Sequence, residues 1–403
     1  MQNPVLQKVS WGFFPYYPTF HRPMPKAIDL IDPVKGISAH AWNKDRTQLA
    51  VCPNDNTMMI YGNCQAPDKK DWKLLHTLDE HDLLISAIDW SPVTNLIVTC
   101  SHDRNSFVWT YDTSEAKWKP SLVILRIDRA ALDVKWSPDG KKFAVASGAK
   151  CVPVCYFEAE HDWWVAKMIK KHRSTVLKVA WHPNSQILAT GSSDFKCRVF
   201  SAFVRQIDNS QDSLNFTPKA FGEDCWEAGA YGWVDSVAWS PSGNTLAFSG
   251  HDSSIQFVDF TSAGDDAPVE SIRFQQLPIQ DCRFVSEAAL VGVGHDMNPL
   301  LFSKSSGKWS FTRKLEEKKA VSAPSTAKAT TGVAAARALF QSKTSKGQDT
   351  AKKTDKLETT HESAITCMQL MGGGNFSTTA ADGKVVMWDI NTLGVDMAAL
   401  GIK

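Results

Sequence analysis

A tryptophan, an aspartate thirteen residues later and an aromatic six after that recur along this chain, and few folds tolerate such a repeat. The clearest copy is Trp90, Asp103 and Trp109. Trp42, Asp55 and Tyr61 precede it; Trp181, Asp194 and Phe200 follow, then Trp239, Asp252 and Val258. Three copies deviate: Trp136 and Cys155 flank Ala149 in place of the aspartate, and Phe284 and Leu370 replace the tryptophan ahead of Asp296/Phe302 and Asp382/Trp388. The first interval shortens to twelve in the last two copies, while the second stays at six. Each copy has strand chemistry. Leu132, Val134 and Trp136 alternate with Asp133 and Lys135, the period of a half-buried strand. Ser91-Pro92, Ser137-Pro138-Asp139-Gly140, His182-Pro183 and Ser240-Pro241-Ser242-Gly243 supply turns at matching places.

Seven copies with a period near 45 residues wherever the connections are short, each with three or four strands, predict an all-β, seven-bladed β-propeller. Trp388-Asp389 is the Trp-Asp dipeptide of WD repeats. One blade cannot cover both faces of its sheet, whereas a closed ring of blades can. The propeller is expected to occupy residues 27–403 as a single unit, with 27–32 completing blade seven. Residues 1–26 form a separate extension, rich in proline and aromatics around Trp11-Gly12-Phe13-Phe14-Pro15-Tyr16-Tyr17-Pro18, and read as an extended segment docked on the body or a partner, or alternatively as a disordered tail. Two connections exceed simple turns. Residues 201–232 are acidic. Residues 303–360 hold thirteen Lys and Arg against five Asp and Glu, a balance of +8, which leaves −7 of the chain's net +1 to everything else. This basic insert between blades six and seven reads as largely disordered, with a short helix near 333–341 that needs a partner for stability.

The sequence carries no recognisable catalytic constellation. His102-Asp103, His251-Asp252 and His295-Asp296 look like acid–base dyads singly, yet they share one repeat position at the turn between strands. Asp55, Asp103, Asp194, Asp252, Asp296 and Asp382 are therefore read as turn-holding carboxylates, with His81, His172 and His361 as partners in the same networks. Cys151 and Cys155 lack further ligands at zinc spacing and read as core. Glycine-rich phosphate loops and nucleophile elbows are missing, so neither cofactor nor enzymatic activity is implied. Trp163-Trp164 reads equally as a binding edge or a packed outer strand. With nine cysteines set largely in strands, no apolar run of membrane-spanning length and an N-terminus broken by five prolines, the expectation is a cytoplasmic protein without a secretory signal or transmembrane segment.

Longer peptides are more specific than the repeat. Ser38-Ala39-His40-Ala41-Trp42-Asn43 with Val51-Cys52-Pro53-Asn54, Ser101-His102-Asp103-Arg104-Asn105-Ser106-Phe107-Val108-Trp109, residues 122–131, Arg173-Ser174-Thr175-Val176 and residues 194–201 resemble the WD-repeat subunit of the actin-related protein 2/3 complex. The resemblance runs from about Ile28 to Asp389. It implies a non-catalytic structural subunit that binds the other subunits, including the actin-related proteins, and works with nucleation-promoting factors on the actin filament. It also implies an actin-directed insert helix, matched here by Arg337, Leu339 and Phe340, with Phe340 as the apolar tip. The N-terminal extension departs from the family pattern. Basic segments supply Arg126, Arg129, Lys170, Lys171, Arg173, Lys196 and Arg198 as an activator-binding surface or as ordinary solvated charge. A nucleic-acid or anionic-membrane binder is opposed by the lack of aromatics among the insert's lysines and by the −7 elsewhere. A ubiquitin-ligase receptor is opposed by Asn391 where an arginine often follows Trp-Asp and one further residue.

Overall fold

The computed structural model describes residues 26–31, 35–208, 219–261, 267–316, 359–393 and 401. Seven four-stranded antiparallel sheets follow one another as blades. Blade two shows the plan: Ile85–Trp90 is innermost, then Ile97–Ser101, Asn105–Asp112 and Lys117–Ile124 outermost. Each inner strand touches the inner strands of both neighbouring blades, and the circuit closes between Ala39–Trp42 and Ile365–Gly372. Blade seven is built from both ends of the chain. Lys26–Asp29 pairs with Lys384–Asp389, with Ala27 opposite Val386 and Ile28 opposite Val385.

Apolar burial lies between blades rather than at one centre. Seven separate clusters each join residues of two adjacent blades, such as Ala41, Ala50 and Ile60 of blade one with Ile88, Trp90 and Ile97 of blade two. Leu49, Ile97 and Val98 are fully buried, worth roughly 1.5–3 kcal/mol each. All nine cysteines are buried and none is in a disulfide; burial pushes the Cys100 thiol up to about 12. Cys151 and Cys155 are core residues.

A bulge recurs in the inner strand of blades two to seven, between the first and third strand residues in each. The extra residue is re-aimed. Ser86 Oγ then donates to the Ala131 carbonyl of blade three (2.7 Å), and Thr366 Oγ to the Ile37 carbonyl at the entry to blade one (2.8 Å). Turn chemistry is equally local. Gly243 has φ +80°, and a β-carbon there would lie 1.9 Å from His182 Nε2, so only glycine fits.

The long connections are shorter than their sequence suggests. Blade six continues through Leu300–Ser305 and Lys308–Lys314, which pair around a turn at Ser306 and Gly307, so residues 303–316 belong to the propeller and not to the insert. Lys304, Lys308, Arg313 and Lys314 leave with them. Residues 317–358, outside the described residues, carry nine Lys and Arg against four Asp and Glu. Residues 201–232 likewise contain the outer strand Asp224–Gly229 of blade four. Within the same stretch, Asp208 turns inward onto Lys142 of blade three, at 2.5 Å. The extension through residue 25 and the helix near 333–341 lie outside the described residues.

Candidate interaction surfaces

Two of the repeat aspartates, Asp103 and Asp382, sit in buried networks with histidines other than their sequence neighbours. In blade two, Trp109 Nε1 donates to Thr99 Oγ1 (3.1 Å), His81 Nε2 lies 2.8 Å from the same hydroxyl, and His81 Nδ1 lies 2.7 Å from Asp103 Oδ2. Asp103 also accepts the backbone N–H groups of Asp82 and Asn105. Burial works against its charge, but these donors outweigh it and hold the carboxyl below its usual range. Blade seven repeats the relay through Trp388, Thr378, His361 and Asp382 at 2.8, 2.7 and 3.0 Å. Blade four keeps His172 on Thr190 (2.9 Å) but has Phe200 for the tryptophan, while Asp194 is held by Arg198. Asp55 accepts from Thr57 and pairs with Lys35, Asp252 accepts from Ser254 and Asp296 pairs with Lys314. These relays run from the outer face into the blade and hold its strands. Thr378→Val should therefore leave His361 and Trp388 short of a partner in a fully buried site and lower unfolding stability by about 2–4 kcal/mol in urea titrations. Loss below about 0.5 kcal/mol would contradict this role.

A second belt surrounds the axis. Asp89 Oδ2 accepts the Trp136 N–H of the next blade (2.7 Å), Asp133 Oδ2 that of Val179 (3.1 Å), Asp281 Oδ2 that of Met368 (3.1 Å), and Ser236 Oγ that of Cys282 (2.9 Å). Lys178 and Arg283 compensate the carboxylates of Asp133 and Asp281. Sequence reading passed over this belt. Its signal was polar residues in strands whose alternate positions are apolar, as in Leu132-Asp133-Val134-Lys135.

In each antiparallel blade, the connection from the outer strand to the next inner strand shares a face with the turn between the second and third strands. On that face Arg126, Arg129, Lys170, Lys171 and Arg173 are exposed in the adjacent connections into blades three and four, with Lys150 in the blade-three turn between them. Lys171 reaches Asp224 at 3.7 Å. Lys196 and Arg198 do not join this rim. Arg198 is 4% exposed and binds Asp194 and Glu227, and Lys196 pairs with Glu227, because both lie on the third strand of blade four beside the outer strand that carries Glu227. Next to the rim, Phe195 (48% exposed), Tyr231 (85%) and Trp233 (50%) present aromatic surface at the junction of blades four and five. Trp163 and Trp164 split: Trp164 packs on Trp136 and Phe143, while Trp163 is 57% exposed on the outer strand of blade three. Arg337, Leu339 and Phe340 lie outside the described residues.

The chain matches the family model described as "WD domain, G-beta repeat" over residues 72–110, 164–201, 227–259 and 353–389. It is 43% identical over 377 residues to "Actin-related protein 2/3 complex subunit 1B" of Arabidopsis thaliana, covering 91% of this chain and 97% of that protein. The chain belongs to the family of actin-related protein 2/3 complex subunit 1. Members from Xenopus laevis (subunit 1A-B, 42% over 375 residues, 90% and 96% covered) and Schizosaccharomyces pombe (subunit 1, 36% over 370 residues, 87% and 96%) align over a similar extent. In this family member the matched segments are offset from the blades. Residues 72–110, 164–201 and 227–259 each take in outer-strand residues of one blade and the three inner strands of the next, so these sequence repeats tie two blades together. Blade six and the three inner strands of blades one and three fall outside the family matches, although their sheets are complete.

Proposed function

We propose that this chain is the non-catalytic propeller subunit of an actin-related protein 2/3 complex, supporting actin nucleation and branched filament formation in the cytoplasm. The observation that carries the reading is its end-to-end identity with the curated subunits, 43% over 91% of the chain. A ring held by seven interblade clusters and two polar networks suits a rigid frame for other subunits. Purification of the native protein should recover two actin-related proteins with it. A lone monomer would overturn the reading.

Two finer assignments belong to this proposal. The insert segment with Arg337, Leu339 and Phe340 engages actin or the mother filament, its cations drawing it to an acidic surface and its apolar pair anchoring it. Leu339→Ala with Phe340→Ala should leave assembly intact and reduce branching several-fold in a pyrene-actin or microscopy assay; unchanged branching would remove the assignment. The rim of Arg126, Arg129, Lys170, Lys171 and Arg173 receives acidic segments of nucleation-promoting factors. Reversing Arg129 and Lys170 to glutamate should weaken activator binding about tenfold at low salt and less at 0.5 M salt, where the screening length falls well below about 8 Å. Binding unaffected at low salt would refute it.

A further inference from the structure

The face opposite the basic rim carries a cleft of about 430 Å³ between blades one and two. That volume falls in the range of ligand sites, roughly 300–1,000 Å³. Its walls are the first turn of blade one, at Asn43, Lys44 and Asp45, and the first turn of blade two, at Val93 and Asn95, with Tyr111 and Trp118 behind. Lys44 and Asp45 balance in charge. Val93 is 63% exposed and Tyr111 36%, so apolar surface is open at the mouth. Asn95 Oδ1 accepts from Trp90 Nε1, which leaves the Asn95 amide hydrogens for an acceptor. Tyr111 and Trp118 pack 5.2 Å apart in a tilted pair.

We propose that the chain's own Trp11-Gly12-Phe13-Phe14-Pro15-Tyr16-Tyr17-Pro18 segment docks in this cleft. The segment ends its approach on the right face. Lys26 pairs opposite Met387, toward the end of its partner strand Lys384–Asp389 that points to the cleft side. Lys26 Nζ donates to the Pro67 carbonyl of the loop that follows the third strand of blade one. The same loop donates from Gln65 Nε2 to the Asp45 carbonyl at the cleft wall (2.9 Å), giving a short path across the surface. Fifteen residues from Trp11 to Lys26 reach at most roughly 50 Å, and six from Phe20 reach roughly 20 Å, which spans a neighbouring blade. The chemistry also matches. Residues 11–20 contain no charge, as suits a charge-balanced cleft. A proline-broken aromatic segment has surplus carbonyl acceptors and a preformed extended shape, and such segments dock on aromatic-lined grooves with side-chain donors. Nothing in the family relationship calls for the arm; the geometry of the entry strand and the cleft does.

Hydrogen–deuterium exchange on the full-length protein tests the proposal. A Trp11→Ser, Phe13→Ser, Phe14→Ser variant should exchange faster than the parent at residues 43–48 and 92–95, by at least about fivefold, with the remaining blades unchanged. Reciprocally, Val93→Glu, at a position exposed enough to tolerate the change, should speed proteolysis within residues 8–20. Equal exchange at both turns in parent and arm variant would overturn the proposal. So would a protection that rises with protein concentration, which would mark a second copy as the occupant, or one that appears only when other subunits are added.

Discussion

Asp208→Ala is expected to lower the unfolding free energy by about 3–5 kcal/mol, because it strands a lysine ammonium inside the protein. Lys142 has no exposed surface. Its Nζ lies 2.5 Å from Asp208 Oδ2 and 3.2 Å from the Ala202 carbonyl, and 5.6 Å from the centroid of the Trp181 ring. Burial pulls the Lys142 ammonium below its ordinary range, while the adjoining Asp208 carboxylate works in the opposite sense. Asp208 Oδ2 also accepts the Val204 N–H at 2.7 Å, so the pair pins the loop after the third strand of blade four onto blade three. A Lys142→Met, Asp208→Asn double variant removes both charges and keeps an acceptor for Val204. It should therefore cost much less than Asp208→Ala alone. Urea denaturation of the three proteins checks the ordering, and a cost below 1 kcal/mol for Asp208→Ala would show that water reaches the ammonium after all.

Stability should also fall steeply between pH 6.5 and 5, above the range in which the depressed carboxyls of Asp103 and Asp382 take up protons. His40 bridges Thr379 Oγ1 (2.9 Å) and Ser377 Oγ (2.8 Å) across the joint between blades one and seven, and burial pushes it down to about 3. His172 is brought to about 4 by burial and by the neighbouring Arg198 cation. Above pH 6.5 both rings are neutral whether the chain is folded or not, so they cause no pH dependence. Below it the unfolded chain takes up two protons that the folded one refuses, and stability drops by roughly 1.4 kcal/mol per pH unit for each ring. From pH 7 to 5 the loss is about 4 kcal/mol. The depressed carboxyls of Asp103 and Asp382 act lower, their contribution being lost only as pH falls below about 4. His40→Asn should halve the slope in the upper window at some cost in stability at pH 7. A flat profile from pH 7 to 5 would contradict the buried neutral rings.

The parts of this architecture legible in the sequence are those whose cause is local. The Trp–Asp–aromatic spacing is a strand length plus a turn length, so it survives in any copy that folds as a blade. Longer-range causes left weaker traces. Lys142 and Asp208 are 66 residues apart, and neither looks unlike a surface charge on paper. Arg198 read as part of a basic surface because Glu227, its partner across the sheet, lies in a stretch that resembled an acidic connection. Lys308–Lys314 read as insert because its cations mask an outer strand, the position in a blade where alternate residues meet water. The exposure of Tyr231 and Trp233 depends on how two blades meet, which no local pattern records.

The pairing of Lys26–Asp29 with Lys384–Asp389 has a consequence in time. About 350 residues separate the two strands, and at about 5–20 residues per second a ribosome needs on the order of 20–70 s to make them. Throughout that interval the first strand made has no partner, and six blades can assemble as an open arc with an uncovered face at each end. The ring is thus completed by Lys384–Asp389, and a nascent chain halted before residue 384 would carry two unprotected edges.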